Sequence, residues 1–342
     1  MKSLAFFLWT ALFSFLPMPG ATNAFADAEQ NSAYARMLDS LASDTPAGKI
    51  HRLQNFVRNN PKEERAFLKL LQQYQFLQKP SDALTFFSKE LSGIAEAQRN
   101  RHWMLAKLAS CDTLSAATNE ARDNFALALR DSFALPPPAL LYDFIVFCHE
   151  NSERLDHPNL IRRHLSRPED LTLALGFYSY LNEDYQQAEV AIKRLSPSLK
   201  NTPLVLFVLS DCFLREENKV VTEQFAQADS IARYGLILAL QNNDKEWQAR
   251  FWAQLGDIAY SQKNDEQAHA SYKQAHKFAN TANDLFSLQR SLGGLGKIHH
   301  LLVNYTTAES LYLKAIPIAE RICAYRDLSL LYSNYCQLLT EL

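Results

Sequence analysis

Histidine pairs are the residues in this chain whose types and spacing come nearest to a metal or catalytic site. His299 and His300 are adjacent, and adjacent side chains on a helix point about 100° apart, so the two would not easily share one metal ion. His269 and His276 lie seven residues apart, beyond the i, i+4 spacing of paired helical ligands. The sequence has no HExxH motif and no Cys/His quartet. It therefore predicts no metal and no cofactor, with His299 and His300 as buried or half-buried side chains.

A short glycine segment resembles part of a phosphate-binding loop but lacks the residues that make one work. Residues 294–297 read GLGK, yet Ile298 follows where such a loop needs Ser or Thr, and no predicted strand precedes the segment. The GxSxG nucleophile motif is also missing. Paired carboxylates at 63–64 and 216–217 fall in predicted turns or helix starts, where water solvates them. The sequence thus predicts no catalytic residues and a protein that is not an enzyme.

The five cysteines form no CxxC pair, and their number is odd. Their neighbours are apolar and helix-forming, which favours small buried thiols packed between helices. A second hypothesis is a disulfide between Cys323 and Cys336, which lie on successive segments across a predicted turn. Spacing alone leaves both hypotheses open. The cysteines are Cys111, Cys148, Cys212, Cys323 and Cys336.

Composition narrows the class of protein. The chain has 342 residues, a length typical of about two domains. It is 47% hydrophobic and 21% charged, which is enough apolar surface for a large core and excludes global disorder. The formal net charge of −2 argues against a general nucleic-acid binder, which needs a basic field.

Residues 1–28 have the layout of a cleavable secretory signal. Lys2 supplies a short positive region, residues 4–16 are apolar or small, and Ala24-Phe25-Ala26 begins two overlapping A-x-A cleavage sites. The apolar run is short for a spanning helix, which needs about 20 residues, although an uncleaved anchor is the alternative. No later segment is apolar enough to span a membrane. We therefore expect a periplasmic or secreted protein without a membrane span in the mature chain.

Three stretches of the chain superimpose with one spacing of small and large residues. In each, an alanine lies twelve positions after a glycine, a large side chain four positions after the alanine, and Leu or Ala three positions after that. The second and third copies are 40 residues apart, and the first precedes the second by twice that distance. The copies are Leu175-Gly176, Ala188, Ile192, Leu195; Leu255-Gly256, Ala268, Tyr272, Ala275; and Leu295-Gly296, Ala308, Tyr312, Ala315.

These spacings predict a unit of two helices joined by a short turn. Steps of four and three place side chains on one helical stripe. Small residues such as Gly256 and Ala268 let two helix axes approach closely, and Tyr272 fills the space beside them. Polar residues between glycine and alanine, such as Asn264, can accept hydrogen bonds from the free N–H groups that start the second helix. Because one hairpin cannot bury its apolar face, neighbouring hairpins must stack.

The second copy resembles the tetratricopeptide repeat (TPR) family through Trp252-x2-Leu255-Gly256, followed by Ala268, Tyr272 and Ala275. It departs from the family in having Asn280 where a late proline is usual and in its repeat spacing of 40 residues, where about 34 is usual. The resemblance is specific over residues 170–320 and weaker over 45–135. It implies an all-α, right-handed α-solenoid of stacked antiparallel helix hairpins.

The repeats and prolines suggest a division of the chain. We predict a degenerate helical-hairpin segment over 29–135 and a TPR-like solenoid over 139–342, with the proline triplet 136–138 between them. The clearest repeats lie at about 168–200, 249–282 and 289–322. A terminal helix follows at 327–342.

The resemblance also implies a binding groove on the first helices of the hairpins. Its floor would change from aromatic to mixed and partly basic along the stack, with Arg290 and Lys297 able to hold a carboxylate. The implied groove residues are Phe177, Tyr180, Phe207, Arg250, Gln254, Asp257, Tyr260, Arg290, Lys297 and His300.

The terminal helix is unusually apolar for the end of a solenoid, where a polar outer face is normal. One hypothesis is that it docks a partner or a second copy through Leu328, Tyr332, Tyr335 and Leu339. The alternative is that all its apolar residues pack inward on the preceding hairpin. For the whole protein we expect a non-enzymatic scaffold of the bacterial envelope that binds a protein or peptide on its concave face. A periplasmic sensory module that binds a small ligand or peptide and controls a membrane protein is the alternative.

Overall fold

The computed structural model describes residues 33–41, 44–111, 115–131, 136–151, 165, 167–216 and 221–341. The chain divides into two compact units, one ending at Ser43 and one covering Asp44–Leu342. In the first unit, residues 33–41 form helix α1. Across the described ranges there are helices and turns but no β-strand. The all-α prediction is therefore confirmed.

The second unit is a series of helices joined mostly by short turns. A π-helical turn, Phe86–Glu90, and a 3-10 turn, Ala95–Ala97, lie between α4 and α5. The helices are α2 Pro46–Asn59, α3 Glu64–Phe76, α4 Pro80–Thr85, α5 Gln98–Ser110, α6 Ser115–Arg130, α7 Pro138–Glu150, α8 Pro168–Leu181, α9 Tyr185–Lys193, α10 Pro197–Lys200, α11 Pro203–Arg215, α12 Val221–Gln241, α13 Lys245–Ser261, α14 Asp265–Ala282, α15 Leu285–Leu301, α16 Tyr305–Arg321 and α17 Tyr325–Glu341.

Helices α8 to α17 pack as successive hairpins. The pairs α8–α9, α11–α12, α13–α14 and α15–α16 each lie side by side, and the first helices α11, α13, α15 and α17 also pack against one another along the stack. The predicted repeat helices thus exist, although α13 and α15 each begin four residues before the predicted repeat starts. The predicted terminal helix is α17, and Leu342 lies outside the described residues. The division at the proline triplet stays a prediction, while α7 begins at its last member, Pro138.

Seven of the described turns between helices share one backbone conformation, a residue with positive φ. In the α13–α14 turn, Lys263 adopts a positive φ of 58°. The N–H of Asn264 donates to the carbonyl of Ala259 at 2.9 Å, and the N–H of Lys263 donates to that of Tyr260 at 2.9 Å. This is the Schellman arrangement that satisfies the last carbonyls of a helix. The same positive φ recurs at Gln78, Glu183, Asn243, Asn283, Val303 and Cys323.

In two hairpins the second helix starts at a polar cap, as the sequence predicts, whereas Asn304 at the start of α16 makes no side-chain cap bond. The side chain of Asn264 accepts from the N–H of Gln267 at 3.1 Å, and that of Asp184 accepts from Gln187 at 3.0 Å. Each cap satisfies one of the free N–H groups at the start of α14 or α9. The short polar turns therefore end one helix and begin the next.

Close approach of helices depends on glycine at the predicted place. A Cβ atom on Gly256 would lie 2.6 Å from the ring of Tyr272, inside any real contact distance. Ala268 and Tyr272 are both fully buried in one cluster of the α14 face. The predicted crossing of α13 and α14 is therefore confirmed. The same tyrosine ring also touches Gly294 of the next hairpin, so it joins two hairpins as well as two helices.

Among the described helices, none combines the length and apolar character needed to cross a bilayer.

Candidate functional site

The first helices of the hairpins share one face, which we call the inner face. It carries the ten predicted groove residues and, at its centre, a cluster of paired charges. We call Tyr180, Asp211, Arg215, Asp257 and Arg290 the inner cluster. These residues come from α8, α11, α13 and α15, so the stacking of hairpins brings them together.

Asp211 is the most deeply buried charge of the inner cluster, with 1% of its surface exposed. Its Oδ2 accepts from the hydroxyl of Tyr180 at 2.6 Å and from Nε of Arg215 at 2.7 Å. Its Oδ1 lies 3.9 Å from Nη2 of Arg290 and has no hydrogen-bond partner among the described residues. A buried carboxylate of this kind is stable only when cations and donors surround it.

Arg290 bridges neighbouring hairpins. Its Nε and Nη2 donate to Oδ2 of Asp257 at 2.9 and 2.5 Å, while its guanidinium lies 5.2 Å from the ring centre of Phe207. The other carboxylate oxygen of Asp257 accepts from the hydroxyl of Tyr272 at 2.6 Å. Arg290 is therefore committed to carboxylates of this chain, so it does not stand free to hold the carboxylate of a ligand.

The pKa directions follow this pairing. Burial by itself raises the pKa of Asp257, but the charges of Arg290 and Lys297 and the hydrogen bonds from Tyr272 and Arg290 outweigh it and hold that pKa below its usual range. Burial raises the pKa of Asp327, and the charge of Arg290 only partly offsets this. At neutral pH Asp257 is a stable anion in the cluster.

A second ion pair lies at the start of the same helices. Arg250 is 3.5 Å from Oδ2 of Asp284, which is fully buried and also accepts from the hydroxyl of Ser287 at 2.5 Å. The guanidinium of Arg250 lies 4.6 Å from the ring centre of Trp247 and 5.4 Å from that of Phe286. Two aromatic rings and an aspartate thus fix this arginine in place.

The predicted aromatic floor lies below the surface. Phe177 is fully buried against Tyr142, with ring centres 5.2 Å apart. Phe207 is also buried, and its carbonyl accepts from Nε2 of the fully buried Gln254 at 2.8 Å. These side chains build the wall of the inner face because successive first helices close over them. A ligand on this face would meet other groups first.

Three predicted groove residues remain half-buried at one edge of the inner face. Nζ of Lys297 lies 5.6 Å from the ring centre of Tyr260. Nε2 of His300 lies 2.9 Å from Oε2 of Glu341 at the end of α17. Solvent reaches the predicted groove at this edge and also at the half-buried Arg250, Asp257 and Arg290. A binding role for any of the ten residues stays a prediction.

Sequence reasoning did not single out Arg215 of the inner cluster, and it missed several contacts around that cluster. Arg215 was readable, because it lies four residues after Asp211 on one helix. The contact of Tyr272 with Asp257 spans two helices and left no sequence signal beyond the repeat itself. Nε2 of Gln289 lies 2.7 Å from Oδ2 of Asp327. This contact depends on how α17 packs against α15. Within the described ranges, no three His, Cys, Asp or Glu side chains meet as a metal site requires.

Comparisons with known proteins give matches at the level of structure alone. No family model matches the chain, and no curated protein is similar to it. Its structural neighbours are tetratricopeptide repeat proteins. One is a signal transduction ATPase with numerous domains (STAND) and a tetratricopeptide repeat sensor, from Pyrococcus horikoshii, with a TM-score of 0.46 and 18% identity over 80% of this chain. The chain spans 43% of that protein.

A second neighbour is a tetratricopeptide repeat protein from Parabacteroides merdae. It has a TM-score of 0.40 and 13% identity, and the match covers 77% of this chain and 99% of the neighbour. Both neighbours contain the type of repeat that the sequence of this chain resembles. The likeness concerns the fold.

Proposed function

We propose that this chain is a non-enzymatic scaffold that holds a helical protein partner against helix α17. The observation that carries the proposal is an exposed apolar stripe on that helix. Tyr325, Tyr332 and Leu339 are exposed by 43%, 43% and 48%, and their spacing of seven residues keeps them on one side of α17. Cys336, also exposed, lies between the last two.

The opposite side of α17 holds the helix on the stack. Leu331 and Leu338 are buried, and Leu328 and Tyr335 are partly buried against the same cluster of α15 and α16. Leu328 and Tyr335 therefore anchor α17, and we assign partner contact to Tyr332 and Leu339 of the four residues predicted to dock. The inward-packing alternative accounts for one side of the helix and leaves the stripe open.

A helix is the partner element that this stripe fits. In every preceding hairpin, the first helix is covered on one side by its own second helix, and no described helix of this chain covers the stripe of α17. Exposed apolar side chains repeating at helical spacing fit into the grooves of an opposing helix. A partner helix lying along α17 would thus continue the stack.

The concave groove enters the proposal only through its edge. Tyr260, Lys297 and His300 are half-buried near the end of α17, since His300 contacts Glu341. A partner that covers α17 could extend onto this edge. The paired charges of the inner cluster support the non-enzymatic assignment, because their arginines and carboxylates are occupied with each other.

Export is part of the same proposal, and its support is the signal-like pattern of residues 1–28. We propose a mature chain that begins after Ala26 or Ala28 in the bacterial envelope. Mass spectrometry of the N-terminus in a periplasmic fraction checks this, and a chain that keeps Met1 in the cytosol would contradict it.

The test of the scaffold is site-specific photo-crosslinking in cells. A photoreactive phenylalanine analogue at position 332 or 339 should give one crosslinked protein, because the stripe lies under the partner. The control places the same residue at Leu240, which is 53% exposed on α12 and should give no product. The double variant Tyr332→Glu, Leu339→Glu should fold normally and abolish co-purification of the crosslinked protein.

The crosslinking outcomes separate the possible occupants. A product of a distinct protein supports the proposal. A product of twice the mass of this chain would show that a second copy of this chain, and not a different protein, occupies the stripe. Equal products from positions 332 and 240 would contradict a docking site on α17.

A further inference from the structure

Two cysteines that are far apart in the sequence meet in the folded chain. Cys111 directly follows α5, and Cys323 lies in the turn between α16 and α17, about 210 residues later. Both are half-buried, and the thiol of Cys111 donates a hydrogen bond to the sulfur of Cys323. This contact joins an early hairpin of the second unit to its last one.

Independent contacts hold the turn that carries Cys323 in this position. Nη1 of Arg321 donates to the carbonyl of Phe76, at the end of α3, at 3.0 Å. On the other side of the turn, Nη2 of Arg326 lies 3.2 Å from Oε1 of Glu183, in the α8–α9 turn. The cysteine contact is thus one of three that bring the α16–α17 turn onto earlier elements.

The local environment gives the two thiols different roles. Hydrogen bonds from Cys111 and from the hydroxyl of Tyr325 lower the pKa of Cys323, and they outweigh its burial. The pKa of Cys111 is raised, because its own proton is held in the hydrogen bond and because it is buried. Cys323 is therefore the thiol that reaches the thiolate state first, and the thiolate is the nucleophile in disulfide chemistry.

We propose that Cys111 and Cys323 form a disulfide that closes the second unit of this chain between its early and late hairpins. The oxidant is a small or protein disulfide of the envelope. The Cys323 thiolate attacks one of its sulfurs and releases one thiol, and the Cys111 thiolate then attacks Cys323 and releases the second. The oxidant disulfide is reduced to two thiols as the two cysteines lose two electrons and two protons.

The other cysteines do not compete for Cys323. Cys148 and Cys212 are buried within α7 and α11. Cys336 lies three turns into α17, which places it roughly 17 Å along the helix from Cys323 at a rise of 1.5 Å per residue. A disulfide needs Cα atoms within about 7 Å, so the predicted alternative of a bridge between Cys323 and Cys336 is wrong for this fold.

The bridge has a measurable consequence for stability. In the unfolded chain it would close a loop of about 210 residues, and long loops lose the most entropy when crosslinked. We expect the oxidised protein to melt on the order of 5–10 °C above the reduced protein. The proposed export matters only for where the oxidant is met, since the pair itself is a property of the fold.

The experiment uses the chain from residue 29 onward, equilibrated with oxidised glutathione and then denatured and alkylated. Mass spectrometry should find three alkylated cysteines in place of the five of the reduced protein. After trypsin without reductant, peptides 108–122 and 322–326 should be linked. The control variant Cys336→Ser should still lose two thiols, whereas Cys111→Ser and Cys323→Ser should lose none.

Two results would overturn the inference. Alkylation of all five cysteines after oxidation, or a linked peptide that contains another cysteine, would rule out the pair. An oxidised protein with the linked peptides but no rise in melting temperature would rule out the closing role. Peptide mapping of the wild-type protein shows whether the pair forms even where a serine variant fails to fold. If the pair oxidises in vitro but the chain is found only in the cytosol, export is refuted and the proposed disulfide is not.

Discussion

At the scale of single residues, the main feature of this protein is that charges on the inner face are paired with each other. Asp211 and Asp257 are held by Arg215, Arg290 and the hydroxyl of Tyr180 or Tyr272. Removing one partner of a buried pair leaves an uncompensated charge, which costs more than the pair contributes. The paired charges of the inner face therefore join neighbouring hairpins to one another.

The first prediction concerns Arg290, which is 15% exposed and contacts both aspartates. We expect Arg290→Ala to lower the free energy of unfolding by about 3 kcal/mol, because Asp257 and Asp211 lose their shared cation. Urea denaturation of the full chain measures the change.

The matched control for Arg290 is Arg233, another helical arginine, which pairs with Asp229 but is 51% exposed. Arg233→Ala should cost less than about 1 kcal/mol, since solvent screens an exposed pair. Equal losses for the two variants would contradict the assignment of Arg290 to a buried junction.

At the scale of elements, the hairpins α8–α9, α13–α14 and α15–α16 each depend on a turn with a positive φ. The residue at that position is Glu183, Lys263 or Val303, and none of these is a glycine. Val303 is the least suited of these residues, because a β-branched side chain rarely adopts the left-handed region. Its side chain is 66% exposed, so it gains little from packing. The turn is kept by its backbone hydrogen bonds, in which the N–H of Asn304 donates to the carbonyl of His299 at 2.9 Å.

The second prediction is that Val303→Gly stabilises the protein. Relief of the left-handed strain is worth about 1–2 kcal/mol, and the extra freedom of glycine in the unfolded chain returns about half of it, so we expect a net gain of about 1 kcal/mol. Thermal denaturation should show a rise of about 2 °C.

Leu302 supplies the control for Val303. It is the preceding residue and 56% exposed, but its φ is −82°. Leu302→Gly should therefore destabilise the protein by roughly 1 kcal/mol, since glycine relieves no strain there. A loss of stability in both variants would show that the left-handed turn is not strained.

At the scale of the whole molecule, the second unit is a stack in which each hairpin contacts its neighbours. Tyr272 is central to one interface, because its ring touches Gly256 in its own hairpin and Gly294 in the next. Contacts between residues far apart in the sequence add to this. Nζ of the buried Lys69, for example, lies 2.7 Å from Oε1 of Glu246. In such arrays, stability is approximately the sum of the hairpins and their interfaces.

The third prediction tests this coupling at Gly294. A Cβ atom there would lie 2.4 Å from the Tyr272 ring, so Gly294→Ala should push the two hairpins apart. We expect a loss of about 1–2 kcal/mol after the helical preference of alanine offsets part of the strain. Urea unfolding followed by tyrosine and tryptophan fluorescence measures the loss and any broadening of the transition.

Gly93 is the control for Gly294, since an added Cβ there meets no atom within 4 Å. Gly93→Ala should change stability by no more than about 0.5 kcal/mol. If Gly294→Ala behaves in the same way, the tyrosine ring is not what limits the distance between hairpins.

The helical hairpins could be predicted from the amino-acid sequence alone, because the signals for them are local. The spacing of Gly256, Ala268 and Tyr272 fixes which helical faces meet, and the polar residue Asn264 marks where one helix ends and the next begins. The folded chain was needed to show that Arg290 lies between Asp211 and Asp257, that one side of α17 is exposed, and that Cys111 contacts Cys323. These contacts depend on the rotation and offset between hairpins. Such offsets are set by the packing of many side chains at once, and no periodicity within a single hairpin records them.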